Sequence, residues 1–259
     1  TDYTTSYRWE WFSRARWQEG FRHAKKASSG GFVELVKERG LDRELVLDSS
    51  CGLGLKTIVM EEAGINVEGS DACALAVEYA RLLAEEEGHR DIRYFQSTWE
   101  ALPRTTEKRY AALFNDALSW VYSEEEMVAS LKGLHDVLKP GGILAYMGAL
   151  PGSDENTSAL LYNGEWSKML SEAGRYSLGF RFSDGHRCVT QAVVLEKGTD
   201  YVDRHLLYII EDGKKRCRLE ARTERHPLKW HWPRMEQHLV RAGFCEFTTK
   251  EFIADSGKP

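Results

Sequence analysis

This chain is poor in the residues that staple small folds or carry them through membranes. Its 259 residues hold five cysteines (Cys51, Cys73, Cys188, Cys217 and Cys245), scattered, with no C-x-x-C pair. No Cys/His cluster has zinc-ligand spacing, so no metal ligands are assigned. An odd, dispersed set of thiols argues against a disulfide framework and for a reducing compartment, so a cytoplasmic location is expected. No apolar run approaches the roughly 20 residues of a membrane helix. The first nineteen residues are aromatic and charged where a signal peptide would be apolar. Basic excess is also missing: 35 lysines and arginines face 40 acids. A nucleic-acid partner is therefore not expected, nor is a membrane partner. Repeats and low-complexity tracts are absent as well. What remains is an ordinary globular composition, long enough for one large α/β domain with an insertion.

Strand-like and helix-like stretches alternate from residue 44 to about 148. The pattern predicts strands over 44–48, 66–71, 91–96, 110–115 and 143–149. Helices are expected over 55–63, 74–87 and 124–138, the last closed by Lys139-Pro140-Gly141-Gly142. Such alternation implies a doubly wound, mostly parallel, Rossmann-like α/β sheet. After Pro151 the pattern changes. A helix is expected near 166–172. Then 176–182, 188–196, 201–211 and 215–222 are strand-like and joined by turns such as Asp184-Gly185 and Asp212-Gly213. These read as an antiparallel β-rich insertion. A helix over 233–242 and a strand over 245–253 follow. The expected organisation is an N-terminal aromatic lid (1–40), a cofactor-binding core (41–150), a substrate-side insertion (151–225) and a C-terminal helix and strand returning to the core (226–259).

The stretch Leu45-Val46-Leu47-Asp48-Ser49-Ser50-Cys51-Gly52-Leu53-Gly54 is an apolar run that ends in an acid and a small-residue turn opening into a helix. Small residues let backbone approach a ligand, and a helix N-terminus offers unpaired N–H groups. A second strand ends at Asp71, whose carboxylate can accept hydrogen bonds from both ribose hydroxyls. A phosphate loop of the type G-x-x-x-x-G-K-[ST] keeps only Lys56-Thr57 here, since Ser49 and Leu55 replace both glycines. A dinucleotide fingerprint loses its third glycine to Thr57. The arrangement D-x-x-C-G-x-G followed by an acid after the next strand is the third option.

That third pattern resembles motifs I and II of class I S-adenosylmethionine-dependent methyltransferases. Several blocks together look like the glycine N-methyltransferase-like group: 45–54, 67–80, QSTWEALP (96–103), FNDALSWV (114–121), LHDVLKPGGILAY (134–146) and, more loosely, 222–244. The resemblance implies S-adenosylmethionine as cofactor. It implies that Asp48, Ser50, Cys51, Gly52 and Gly54 surround the methionine moiety, that Asp71 binds the ribose and that Ala72 lies against the adenine. Thr98 and Trp99 would contact the adenine, and Arg22 would hold the cofactor carboxylate. Asn115 would face the methyl group as the catalytic position, with Asp116, Leu118 and Ser119 lining the same opening. Three plainer readings stand beside these: Asn115 as a turn residue, Trp99 as a core aromatic, and Cys51 as a small packing residue rather than a nucleophile.

The substrate is less legible. Tyr7 and Trp11, in an N-terminal segment that interleaves aromatics with arginines, are expected at a lid over the acceptor, because ring faces attract cations. The glycine-methylating members carry an arginine soon after the fifth strand, whereas here 146–152 has none. Arg181, Arg187, Arg222 or Arg225 from the insertion are the candidates to replace it, and Arg181 and Arg222 are assigned to the acceptor. A neutral amine attacks a sulfonium methyl without a dedicated base, and no histidine lies in the opening after the fourth strand. This favours N-methylation of a small amine or amino acid. Small-molecule O-methylation and a non-catalytic cofactor-binding sensor or partner subunit are the alternatives. A homo-oligomer is compatible with the sequence.

Overall fold

The structure is a computed structural model that describes residues 22–147, 176–183, 187–198, 201–212, 217–227, 230 and 232–248. Among them, strands β1 (Val46–Asp48), β2 (Val67–Asp71), β3 (Tyr94–Gln96), β4 (Tyr110–Asn115) and β5 (Leu138–Tyr146) form one parallel sheet in the order β3-β2-β1-β4-β5. The order reverses between β1 and β4, which places a topological switch point at their carboxyl ends. β4 is buried at every residue, as its unbroken apolar run requires of a central strand.

Helices α1 (Arg22–Glu38), α2 (Leu55–Glu62), α3 (Ala74–Glu86), α4 (Leu102–Thr105) and α5 (Glu124–Asp136) flank this sheet. Alternate strand residues Val46, Val67, Ala112 and Phe114 share a core with Phe32 and Val36 of α1 and Met60 of α2. The Phe32 and Phe114 ring centroids lie 4.9 Å apart. This contact sustains α1 through its central Gly30-Gly31, because burial of large side chains at about 1.5–3 kcal/mol each outweighs two poor helix formers. The latter half of the expected N-terminal lid is thus a helix packed on the core, and the aromatic stretch before Arg22 lies outside the described residues. α5 starts at a capping box: Ser123 Oγ accepts the Glu126 N–H, and the Ser123 N–H donates to Glu126 Oε2. Three glutamates in its first turn complement the helix dipole.

Several element bounds differ from the sequence pattern. Residues 91–93 precede β3 in a turn, where Ile92 N–H donates to the His89 carbonyl. Lys139-Pro140-Gly141-Gly142 does not lie outside the strand. It forms a bulge inside β5, where the register with β4 shifts between Tyr110 and Ala112 and Gly141 takes φ 76°. Proline is tolerated there because β5 is an edge of this sheet among the described residues. The strand expected over 245–253 is not found among the described residues of that stretch, 245–248. Gly243 at φ 109° ends the preceding helix, and the Phe244 ring packs edge-on against His135. A ring contact, not a strand ladder, anchors that segment. The helix expected near 166–172 lies outside the described residues.

By packing, the chain divides into two units. The first takes residues to Leu118, Ser123–Met147 and the chain from His238; the second takes Ser119–Tyr122 and the segment up to Gln237. The second unit contains an antiparallel sheet of β6 (Tyr176–Ser183), β7 (Arg187–Lys197), β8 (Tyr201–Asp212) and β9 (Cys217–Pro227), in sequential order. Leu206, Tyr208 and Ile210 of β8 and Val193 of β7 are buried on one face, while Leu207 and Leu219 on the other are exposed. Helix α6 (Trp232–Ala242) follows. No described helix is long and apolar enough to cross a membrane.

Candidate functional site

The candidate site lies where the chain leaves the carboxyl ends of β1, β2 and β4. After β1 the chain turns through Ser49–Gly54, with Gly52 at φ 53° and Gly54 at φ 76°. Both are left-handed conformations that favour glycine. The reason for Gly54 lies beneath the loop: a Cβ there would meet the Tyr94 hydroxyl at 2.7 Å, and one on Gly69 would meet the same ring at 2.5 Å. Tyr94, from β3, therefore fills the space under the loop, and the glycines make room for it. Its phenol is pushed further up by burial and stays neutral.

Asp71 is the hub of this region. Its Oδ2 accepts the Gly52 N–H and its Oδ1 accepts the Cys73 N–H, both at 2.9 Å. One carboxylate thereby ties the loop after β1 to the start of α3. Burial raises its pKa, the two backbone N–H groups oppose that, and Asp116 raises it further. A carboxylate has about four lone-pair directions, so two N–H bonds leave room for ribose hydroxyls. Ala72, next in the chain, lends its carbonyl to Gln96 Nε2. One residue before Asp71, the Ser70 hydroxyl is buried without a hydrogen-bond partner among the described residues.

Asp48 has no exposed surface. Its Oδ2 accepts the Thr57 hydroxyl at 2.8 Å, and its Oδ1 faces the Ser50 N–H at 3.4 Å. Burial and the charge of Asp116 push its carboxyl up to about 7, against the opposing effects of Thr57, Lys56 and Ser50. Asp48 thus holds the loop from below. Thr57, which spoils the dinucleotide fingerprint, is the residue that binds it. The Cys51 thiol is buried and its pKa is raised, first by burial and then by Asp71 and Asp48. It is a packing residue, the plainer of the two sequence readings.

Asn115 closes β4 and is fully buried. Its Oδ1 accepts the N–H groups of Ala117 and Leu118, and its Nδ2 donates to Ser49 Oγ. The side chain expected to face the methyl group is engaged in shaping the turn, because β4 must stop and reverse there. Asp116 stands further out. It accepts the Ser50 hydroxyl at 2.9 Å and forms an ion pair with Lys56 Nζ. The Lys56 ammonium also lies 4.7 Å from the centre of the Phe114 ring. Leu118 is buried, whereas Ser119 is half-buried in the 3₁₀ turn Leu118–Trp120.

Trp99 is half-buried, and its indole N–H donates to the Ser49 carbonyl at 2.6 Å. Thr98 is exposed, and its carbonyl accepts Ser97 Oγ. The structure therefore gathers Asp48, Ser50, Cys51, Gly52, Gly54, Asp71, Ala72, Thr98, Trp99, Asn115, Asp116 and Leu118 around four strand ends. Arg181 lies on β6 opposite Thr190 and Arg222 on β9 opposite Leu206, but their side chains lie outside the described set, as does that of Arg22 in α1. Tyr7 and Trp11 lie outside it entirely. Arg225 is committed elsewhere: it grips buried Asp203 through two bonds of 2.7 and 2.6 Å and stacks 3.9 Å from the Tyr201 ring centre. Lys56 was legible in the sequence only as a remnant of a phosphate loop.

These groups fit an adenosyl sulfonium. Asp71 offers acceptors to a diol, and Asp48, Asp71 and Asp116 outnumber the one ammonium among them, which favours a cationic ligand. A di- or triphosphate would meet that same excess of negative charge. Among the described residues no cluster of His, Cys, Asp and Glu is arranged to hold a metal ion.

Comparison with known proteins agrees. Residues 46–142 match the family model described as a methyltransferase domain. A glycine/sarcosine N-methyltransferase of Halorhodospira halochloris is 26% identical over 201 residues, 73% of each chain. A ubiquinone biosynthesis O-methyltransferase of Ruegeria pomeroyi is 34% identical over 110 residues, 42% of this chain and 43% of that one. The chain thus spans less than half the length of the second relative. The sugar N-methyltransferase KedS8 from Streptoalloteichus superposes with a TM-score of 0.67 over 90% of this chain and 83% of its own, at 16% identity, a likeness of fold. The parallel sheet with its reversal between β1 and β4, the loop tied to Asp71 and the match over residues 46–142 support a class I S-adenosylmethionine-dependent methyltransferase domain in this part of the chain.

Proposed function

We propose that the protein N-methylates a small amine or amino acid at the opening after β4. The observation that carries this reading is the extent of the sequence matches. One glycine/sarcosine N-methyltransferase match runs over 73% of the chain and a second over 50%, whereas the ubiquinone O-methyltransferase matches run over 42–51%. A match of 201 residues is longer than the cofactor-binding core and so reaches into the part of the chain expected to meet the acceptor.

Bound S-adenosylmethionine supplies an activated methyl group, so the chain's own task is alignment. Asp71 holds the ribose edge, the Ser49–Gly54 loop presents backbone, and Asp116 borders the acceptor opening. In this reading Asn115 contributes by holding the turn that carries Asp116 and Leu118. An amine that arrives unprotonated needs no base from the protein. The carboxylate excess around the opening disfavours an acceptor atom that carries negative charge.

O-methylation of a small hydroxyl compound is the second reading, favoured by the 34% identity to the ubiquinone biosynthesis enzyme. A radiolabelled methyl-transfer screen over amino acids, simple amines, phenols and thiols separates the two. Label in primary or secondary amines supports N-methylation, and label confined to phenols overturns it.

A further inference from the structure

We propose that Lys56 and Asp116 together form the receptor for the amino-acid head of the cofactor, Asp116 facing the α-ammonium and Lys56 the α-carboxylate. The inference rests on the cofactor assignment above and adds to it a residue that the motifs do not name.

Position is the first argument. The sheet order reverses between β1 and β4, and ligands of open α/β sheets bind outside the strand ends at such a reversal. The Lys56–Asp116 pair lies at that place. Ser50, from the loop after β1, donates to Asp116 Oδ1 at 2.9 Å, and the Asp116 N–H donates back to Ser50 Oγ at 3.1 Å. Asp71, the ribose candidate, ends β2, two strands away from β4. Two strand spacings are roughly 10 Å, a separation that the extended arm between ribose hydroxyls and α-carboxylate can bridge.

Chemistry is the second argument. The Lys56 side chain is only 6% exposed, and Asp116 is 14% exposed. A buried ammonium is costly unless it is paired, and a well-packed apolar residue over Phe114 would serve stability as well. An ammonium carries three donors. Among the described residues, Asp116 is the hydrogen-bond partner of this one, and the Phe114 ring face is its other contact. Donors therefore remain for an incoming carboxylate. A cation and an anion held side by side match the two charged ends of an α-amino acid.

The alternative is a structural staple between α2 and the turn after β4. Titration calorimetry with S-adenosylhomocysteine and with 5′-deoxy-5′-methylthioadenosine, which lacks the amino-acid head, distinguishes the two. Lys56→Met is expected to weaken S-adenosylhomocysteine by about ten-fold or more and to leave methylthioadenosine within about two-fold. Lys56→Arg is expected to retain most of the affinity. Equal weakening of both ligands, or no weakening of either, overturns the proposal. If Lys56→Met does not fold, the wild-type protein supplies the test: decarboxylated S-adenosylmethionine should bind about ten-fold more weakly than S-adenosylmethionine, and equal affinity overturns the proposal. Wild-type protein that binds none of these adenosyl compounds overturns the cofactor assignment, and this inference with it.

Discussion

Asp48 shows how one side chain can couple this fold to pH. Its carboxyl sits in a fully buried place, bonded to Thr57 and near Ser50, Lys56 and Asp116, and is pushed up to about 7. An acid whose folded value is raised binds its proton in the native state while the unfolded chain has already lost it. Its contribution to stability is therefore largest at low pH, declines from about pH 4 to about 7, and is flat above. Within that window the slope approaches about 1.4 kcal/mol per pH unit. Urea unfolding of the wild type and of Asp48→Asn at pH 5, 6, 7 and 8 should show a stability difference that changes up to pH 7 and then levels. A difference independent of pH would show that Asp48 is ionised throughout. Asp71 acts at the same scale but on the ligand. Because it also holds the Gly52 and Cys73 N–H groups, Asp71→Asn is a cleaner change than alanine. It should weaken S-adenosylhomocysteine by about ten-fold or more, the worth of a hydrogen bond to a charged group. Unchanged affinity in calorimetry would remove the ribose role.

Elements in this protein are set by what lies beneath them. The loop after β1 looks like a ligand cradle in sequence, and it is also a lid over Tyr94. Gly54→Ala would force φ near 76° on an L side chain and push its Cβ within 2.7 Å of the Tyr94 hydroxyl. A loss of about 1–3 kcal/mol in urea unfolding is expected. Tyr94→Phe in the same background should recover part of it by removing the clashing oxygen, and no recovery would locate the strain elsewhere. Helix α5 is governed by its start. Ser123→Ala removes one half of the capping box and should cost about 1 kcal/mol. The antiparallel sheet is pinned by Arg225 on Asp203, which is why that arginine, one of those considered for a substrate carboxylate, is committed within its own sheet.

For the whole molecule, ligand binding and stability are linked. S-adenosylhomocysteine at about 100 times its Kd should add about 2.7 kcal/mol to the free energy of unfolding. For a chain of this size that raises Tm by roughly 5–10 °C. Absence of a shift at millimolar ligand counts against the site at the strand ends. The same measurement on Asp71→Asn should show a smaller rise at equal ligand concentration. Acceptor chemistry belongs to this scale too: the relatives include both N- and O-methyltransferases, and the proposed N-methylation rests on the extent of one match along the chain and not on any one motif.

The alternation of apolar runs and helical periods determined the parallel sheet by itself, since period and order along the chain are local properties. The small-residue loop after Asp48 and the acid at Asp71 likewise marked a nucleotide-type site, because a close backbone approach and a ribose acceptor demand those residue types, and the family resemblance of the surrounding blocks implied which cofactor it takes. The boundaries of β3 and β5 were less legible: a turn at 91–93 and a bulge at Pro140–Gly142 depend on partners across the sheet. Only the tertiary structure decided what each polar side chain of the site does. Asn115 turns inward because the N–H groups of Ala117 and Leu118 need an acceptor, and Asp48 lies under the loop because Thr57 reaches it from α2. Lys56 gains its place through Asp116, sixty residues later, and no local pattern encodes a charge pair made across two strands.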